Sequence, residues 1–179
     1  MVCAHLYELA YRFKEAIVQA YEAGHFDSDI TFCNFPRGCC GDTCDLLAEY
    51  LRNFGVETVY VCGSELDQSH AWLVIKDSSI EKPKSHHYEL SDEIRDVFSL
   101  YSGGRSSGSI DNTYYDEMDL INGTIVDITA DQFGERSVYV DRLGKFHKRF
   151  DFNFAYDCVG IDNSRLRKIY EVVMEYILR

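Results

Sequence analysis

The chain has 179 residues and a formal net charge of −12, with 18 basic and 30 acidic side chains. This charge argues against a nucleic-acid backbone or an anionic membrane surface as the main partner. Hydrophobic residues make up 46 % of the sequence, and no apolar run is long enough for a membrane span, so one globular domain is expected. A charged N-terminus and seven cysteines predict a cytoplasmic location with reduced thiols.

Hydrophobic periodicity predicts that the chain begins with two helices. The first amphipathic helix is expected over residues 4–23 and the second over residues 42–54, and a glycine follows each. Short strands are then predicted over residues 58–62 and 71–75, with a turn through Gly63 between them.

The segment 77–121 differs in composition from the rest of the chain. It contains a Gly/Ser-rich tract over residues 102–109 and one short predicted helix over residues 91–101. We interpret this segment as an insertion between two strands of a single domain that spans residues 1–179.

The second half of the chain is predicted to finish a sheet and end in a helix. A strand is expected over residues 124–129 and another near residues 137–140. Residues 147–161 are aromatic without a clear period and are expected to be irregular, whereas residues 164–178 form an amphipathic helix. The expected fold class is α+β, with the N-terminal helices packed on an antiparallel sheet.

Four cysteines lie around the start of the second predicted helix: Cys33, Cys39, Cys40 and Cys44. Cys40 is the preferred nucleophile because it stands at the mouth of the helix, where unpaired N–H groups and the helix dipole favour a thiolate. Cys39 and Cys44 remain alternatives, although Cys44 lies one turn inside the helix. Asn34 and the backbone N–H of Cys40 are candidate donors to an oxyanion.

His70 is the candidate catalytic base, because it opens a predicted strand directly after a polar stretch. If its strand pairs antiparallel with the strand after the insertion, Asp127 falls nearly opposite Trp72 and diagonal to His70 on the same face. A carboxylate among apolar strand residues needs a partner. We therefore expect Asp127 to orient His70, and Asp131 is the weaker candidate for that role.

A zinc site is the structural alternative for the cysteine-rich segment. Cys33, Cys39 or Cys40, Cys44 and His70 could supply four ligands, but the spacing lacks the paired C-x₂-C hooks of ordinary zinc sites. We therefore expect no metal and no cofactor. The other histidines have no matching context, and most are expected to be exposed to solvent: His5, His25, His86, His87 and His147.

Three segments resemble a known superfamily: FPRGCCGDTCDLLAEYL at 35–51, SHAWLVI at 69–75 and IVDITADQF at 125–133. The order of cysteine, histidine and aspartate resembles that of the papain-like and transglutaminase-like cysteine superfamily. The segments are also similar to a small bacterial group of that kind. The doubled Cys39-Cys40 and the long insertion depart from the plain pattern.

The resemblance implies a papain/transglutaminase-like core and assigns roles to four residues. Cys40 is the nucleophile, His70 the base and Asp127 the residue that orients it. Asn34 stands in the place of the papain-type oxyanion glutamine.

The predicted function is thiol-dependent acyl transfer from an amide of a protein or peptide substrate. With water as acceptor the enzyme is a cysteine protease or deamidase, which we expect first; with an amine it is a transglutaminase or acyltransferase. Trp72 is the expected substrate-binding residue. The rival interpretations are a non-catalytic interaction module and a zinc-stabilised binding protein, and the sequence does not determine the oligomeric state.

Overall fold

A computed structural model describes residues 2–76, 115–158, 160–161 and 163–179. Within these residues the fold is α+β, as expected. Its helices and strands in chain order are α1 (Val2–Glu22), α2 (Cys40–Arg52), β1 (Thr58–Glu65), β2 (Gln68–Ile75), α3 (Glu117–Leu120), β3 (Thr124–Asp127), β4 (Tyr139–Arg142), β5 (Asp151–Asp157) and α4 (Ser164–Ile177). None of the helices in these ranges has the length and apolar character that a membrane span needs.

The five strands form one antiparallel sheet in the order β4-β3-β2-β1-β5. β1 and β2 are consecutive and form a hairpin in which Gly63 lies opposite His70. β3 pairs with the other edge of β2, and Leu73 lies opposite Val126. The prediction of antiparallel strands around the histidine is therefore confirmed.

The three long helices lie on one side of this sheet, where α1 and α2 contact the strands and α4 packs mainly on α1. Because side chains alternate along a strand, Ala71 and Leu73 of β2 point toward the helices. They join a buried core with Phe13 of α1 and Leu47 of α2. The predicted apolar stripe of the first helix is buried there throughout: Leu6, Leu9, Phe13, Ile17 and Ala20.

The opposite face of the sheet carries a second core of aromatic residues. Trp72 and Val74 of β2 pack there with Phe146 and Phe150. Tyr115 is also buried in this core, as is Leu120 of α3. The C-terminal part of the predicted insertion, residues 115–121, thus contributes to the packed domain, while the predicted helix over residues 91–101 lies outside the described residues.

The expectation that residues 147–161 are irregular is wrong, because Asp151–Asp157 forms the edge strand β5 on β1. A bulge opposite Cys62 and Gly63 interrupts the alternation of β5. Phe152 therefore packs on the aromatic core, whereas Phe154 packs on the helical core. This break obscures the two-residue period on which a strand prediction depends.

Gly63 should tolerate no side chain, because the two strands and the aromatic core meet at this position. An added Cβ would lie 2.9 Å from the Phe150 Cβ and 3.0 Å from the Asp151 carbonyl oxygen. We expect Gly63→Ala to lower the free energy of unfolding by about 1–3 kcal/mol in urea denaturation. Ser64→Ala is the matched control, since its exposed hydroxyl bonds Asn153. Equal losses in the two variants would contradict this packing.

Candidate active site

Cys40 is the first residue of α2 and lines a cleft of about 700 Å³. Gly38, with φ +72°, lets the chain turn into the helix, and the carbonyl oxygen of Cys39 accepts the first helical hydrogen bond from Thr43. The backbone N–H of Cys40 therefore has no acceptor within the helix and lies at the positive end of the helix dipole.

The thiols near Cys40 are held in their protonated forms. Burial raises the pKa of Cys39 to about 12, and its thiol donates to the Pro36 carbonyl oxygen at 3.1 Å. Burial raises the pKa of Cys44 well above its usual value, and that of Cys62 to about 12. These three cysteines are poorly suited to act as nucleophiles at neutral pH.

His70 and Asp127 form a buried pair behind Cys40. The His70 Nε2 donates to the Asp127 Oδ2 at 2.7 Å, and both side chains are almost fully buried. The pair forms because the register of β2 and β3 sets Asp127 level with Trp72, two residues from His70 on the same face. The structure thus brings these two predicted residues together.

The charges of this pair stabilise each other. Burial alone would lower the pKa of His70, but the charge and hydrogen bond of Asp127, together with a hydrogen bond to Cys40, raise it to about 9. Burial would raise the pKa of Asp127, yet the charge of His70 and hydrogen bonds from His147 and His70 hold it well below its usual range. At neutral pH the pair is therefore an imidazolium and a carboxylate.

The two ring nitrogens of His70 face different partners. Nε2 is bound to Asp127, so Nδ1 is the nitrogen available to Cys40, which lines the same cleft as His70. The chain of Cys40, His70 and Asp127 therefore has the connectivity of a nucleophile, a base and the residue that orients the base.

Gln132 is a site residue that the sequence analysis missed. Its Nε2 lies 3.4 Å from the His70 Nδ1 and donates to the Thr129 carbonyl oxygen at 3.0 Å. Its Oε1 accepts from the Gly38 backbone N–H at 3.3 Å. Gln132 thus joins the loop before Cys40 to the loop after β3. The only feature of the sequence that could have indicated Gln132 as a site residue is its position shortly after Asp127.

His147 is the second missed residue, and the expectation that histidines outside the motif are mostly exposed fails for it. It is 1 % exposed, and its Nε2 donates to the Asp127 Oδ2 at 3.1 Å. The other oxygen of Asp127 accepts from the backbone N–H and the hydroxyl of Thr129, at 2.8 and 3.2 Å. The aromatic segment before β5 folds over the sheet and carries His147 inward, which no local pattern reveals.

Three other predicted residues lie away from the site. Asn34 is exposed and its amide donates to the Cys33 sulfur, so it does not line the cleft as an oxyanion donor would. Trp72 is buried in the aromatic core and does not line the cleft either. Asp131 pairs with the buried Lys14 at 2.5 Å instead of with a histidine.

The described residues do not bring the proposed zinc ligands together: Cys33, Cys39 or Cys40, Cys44 and His70. The group of side chains close enough to share an ion is His70, Asp127 and His147. Both imidazoles lie at hydrogen-bond distance from one carboxylate oxygen, so hydrogen bonds alone account for this arrangement.

Comparison with known proteins adds no assignment to this geometry. No model of a protein family, no curated protein and no solved structure matches the chain. The functional interpretation therefore depends on the residues of the cleft themselves.

Stability should fall with rising pH because of His70. Its pKa moves from 6.5 to about 9 on folding, so its stabilising effect is complete below pH 6.5 and is lost as pH rises through 9. This shift corresponds to about 3 kcal/mol. We expect urea denaturation to show most of this decline between pH 6.5 and 9 in the wild type, and little of it in His70→Gln. His25→Gln, at an exposed histidine bonded to Tyr176, is the control and should keep the decline. Parallel pH curves for the wild type and His70→Gln would contradict the assignment.

Proposed function

We propose that the protein is a thiol-dependent acyl-transfer enzyme that attacks an amide of a protein or peptide. One observation carries this proposal. Cys40, at the start of a helix, shares a cleft of about 700 Å³ with the imidazole of His70, whose Nε2 lies 2.7 Å from a buried carboxylate. Asp127 and His70 supply the charges that a cysteine nucleophile requires.

In the first step the Cys40 thiolate attacks the carbonyl carbon of the amide. The tetrahedral oxyanion forms at the N-terminal end of α2, where the Cys40 backbone N–H is a donor. The carbon–nitrogen bond then breaks, and the His70 imidazolium gives its proton to the departing amine. A thioester on Cys40 and a neutral imidazole remain.

In the second step a water molecule attacks the thioester. His70 takes one proton from the water, the carbon–sulfur bond breaks and the acid is released, which leaves the His70 imidazolium and the Cys40 thiolate as they were at the start. A backbone amide gives proteolysis and a side-chain amide gives deamidation with release of ammonia. An amine in place of water gives transglutaminase or acyltransferase chemistry. We rank hydrolysis first because water is the acceptor at the highest concentration.

The walls of the cleft suit an extended polypeptide. Tyr60 of β1 and Tyr156 of β5 stack at 4.8 Å beside Phe154, and these rings form an apolar wall. On the other side Arg165 of α4 pairs with Asp42 of α2, which fixes the rim next to the nucleophile. A groove with an apolar wall and a polar rim fits a chain with mixed side chains.

The proposal includes a papain/transglutaminase-like core and a location in the bacterial cytoplasm. A papain/transglutaminase-like core fits the helix that presents Cys40 to the His-Asp pair on an antiparallel sheet. A bacterial cytoplasmic location fits the six cysteines with described side chains, all of which are free thiols.

Alkylation by limiting iodoacetamide at neutral pH should single out Cys40. We expect its rate constant, measured by peptide mass mapping, to exceed that of Cys33 by about tenfold or more. Cys33 is the internal control, since it is partly exposed and its sulfur bonds the Asn34 amide. Cys40→Ala should abolish the fast labelling and Cys44→Ser should keep it. Equal rates at Cys40 and Cys33 would favour a non-catalytic module.

The two hydrolytic products distinguish the two leading activities. Incubation with casein should give new N-termini if the enzyme is a protease, or free ammonia without cleavage if it is a deamidase. Cys40→Ala should give neither product. Activity that survives in a folded Cys40→Ala variant would rule out this mechanism.

A further inference from the structure

A second histidine reaches the triad carboxylate from outside the cleft. The His147 Nε2 and the His70 Nε2 lie 3.1 and 2.7 Å from the same oxygen, Oδ2 of Asp127. His147 does not line the cleft that contains Cys40. It therefore meets Asp127 and the His70 ring from inside the fold and has no contact with the space that a substrate would occupy.

The surroundings of His147 fix its orientation and its tautomer. Its ring packs edge-on against Trp72 at 5.0 Å and Tyr139 at 4.5 Å. Its Nδ1 is buried and has no hydrogen-bond partner within the described ranges. The ring hydrogen is therefore on Nε2, where Asp127 accepts it, because a buried N–H without an acceptor is strongly disfavoured.

The carboxylate of Asp127 is fully engaged as a result. Oδ1 accepts two hydrogen bonds from Thr129, and Oδ2 accepts one from each imidazole. Two donors on one oxygen compete for its electron density, so the bond from His147 weakens the hold of Asp127 on the proton of His70. It also fixes the plane of the carboxylate.

We propose that His147 is a positioning residue of the proposed active site, which shares the Asp127 oxygen with His70 and limits how tightly the carboxylate holds the His70 proton. This inference rests on the proposed function. An imidazolium held too tightly is a poor acid toward the departing amine, so the second donor keeps His70 able to release its proton.

Few other ionisable groups face this cluster in the described structure. Cys40 of α2 and Asp127 of β3 face His70, the buried Cys44 thiol of α2 is within electrostatic reach of Asp127, and Tyr139 of β4 faces His147. The hydroxyl of Tyr139 donates to the Arg142 carbonyl oxygen. A change in the titration of His70 on substitution of His147 is thus transmitted through Asp127 or through the direct contact of the two rings, whose centroids lie 6.2 Å apart. His147→Gln removes the ring but keeps the donor, so it separates these two routes.

The test is the pH titration of the His70 ring, followed by NMR of histidine labelled with nitrogen-15. His147→Leu removes the donor and keeps an apolar side chain in the aromatic core. We expect the midpoint of His70 to rise by about one pH unit, a tenfold tighter hold on the proton. His147→Gln keeps a donor and should leave the midpoint within about half a unit of the wild type.

The sign of the change separates this role from a merely structural one. A site that loosens without His147 would move the His70 midpoint down toward 6.5, its ordinary value. A fall, or no change in a folded His147→Leu variant, would overturn the proposal. So would a bound metal found by elemental analysis of the wild type, or a midpoint that changes with a chelator, because the three residues would then be ligands.

Failure of the role proposed for His147 and failure of the proposed function would give different experimental results. The NMR titration needs neither substrate nor turnover. If iodoacetamide labels Cys40 fast in the wild type but the His70 midpoint is unchanged in His147→Leu, only the role proposed for His147 is refuted. If labelling of Cys40 is slow but the His70 midpoint rises in His147→Leu, the thiol mechanism is refuted instead.

Discussion

The site depends on one buried carboxylate. Asp127 is almost fully buried, and such a charge is stable only when its hydrogen-bonding capacity is filled. Four donors fill it: the Thr129 N–H and hydroxyl on one oxygen, and His70 and His147 on the other. The four donors come from three residues, Thr129 next to Asp127 and two histidines distant from it in sequence, so the position of His70 near Cys40 depends on the packing of the whole sheet.

The fold brings the three groups of the proposed triad together from three separate elements. α2 begins at Cys40, which supplies the thiol. β2 carries His70 and β3 carries Asp127, and the register between these strands brings the two side chains together. Gln132 then joins the loop before the helix to the loop after β3. Because a one-residue slip between β2 and β3 would turn Asp127 to the helical face, the register of the sheet is itself a requirement of the site.

Much of this arrangement follows from local pattern, and the rest from contacts distant in sequence. Periodicity predicted the long helices and the central hairpin, and the strand register predicted that His70 and Asp127 meet. The predicted turn through Gly63 is wrong, because β1 continues to Glu65 and pairs with β2 as far as Gln68. Trp72 was expected to bind substrate but lies in the aromatic core, because a strand pattern does not tell which face of the sheet meets the cleft. Asn34 was expected to face the cleft as an oxyanion donor but is exposed outside it, because the direction of a loop depends on its tertiary contacts. His147 arrives through an aromatic segment that folds back over the sheet, and a bulge hides the strand that follows it.

The most direct test of the central claim is the ultraviolet absorbance of the Cys40 thiolate. The absorbance of the wild type at neutral pH is compared with that of Cys40→Ser and of His70→Gln. We expect a thiolate signal of one sulfur in the wild type, which disappears in both variants, because the His70 imidazolium held by Asp127 would stabilise the negative charge on the sulfur. A wild type without thiolate absorbance at neutral pH, or a signal that persists in folded His70→Gln, would contradict it.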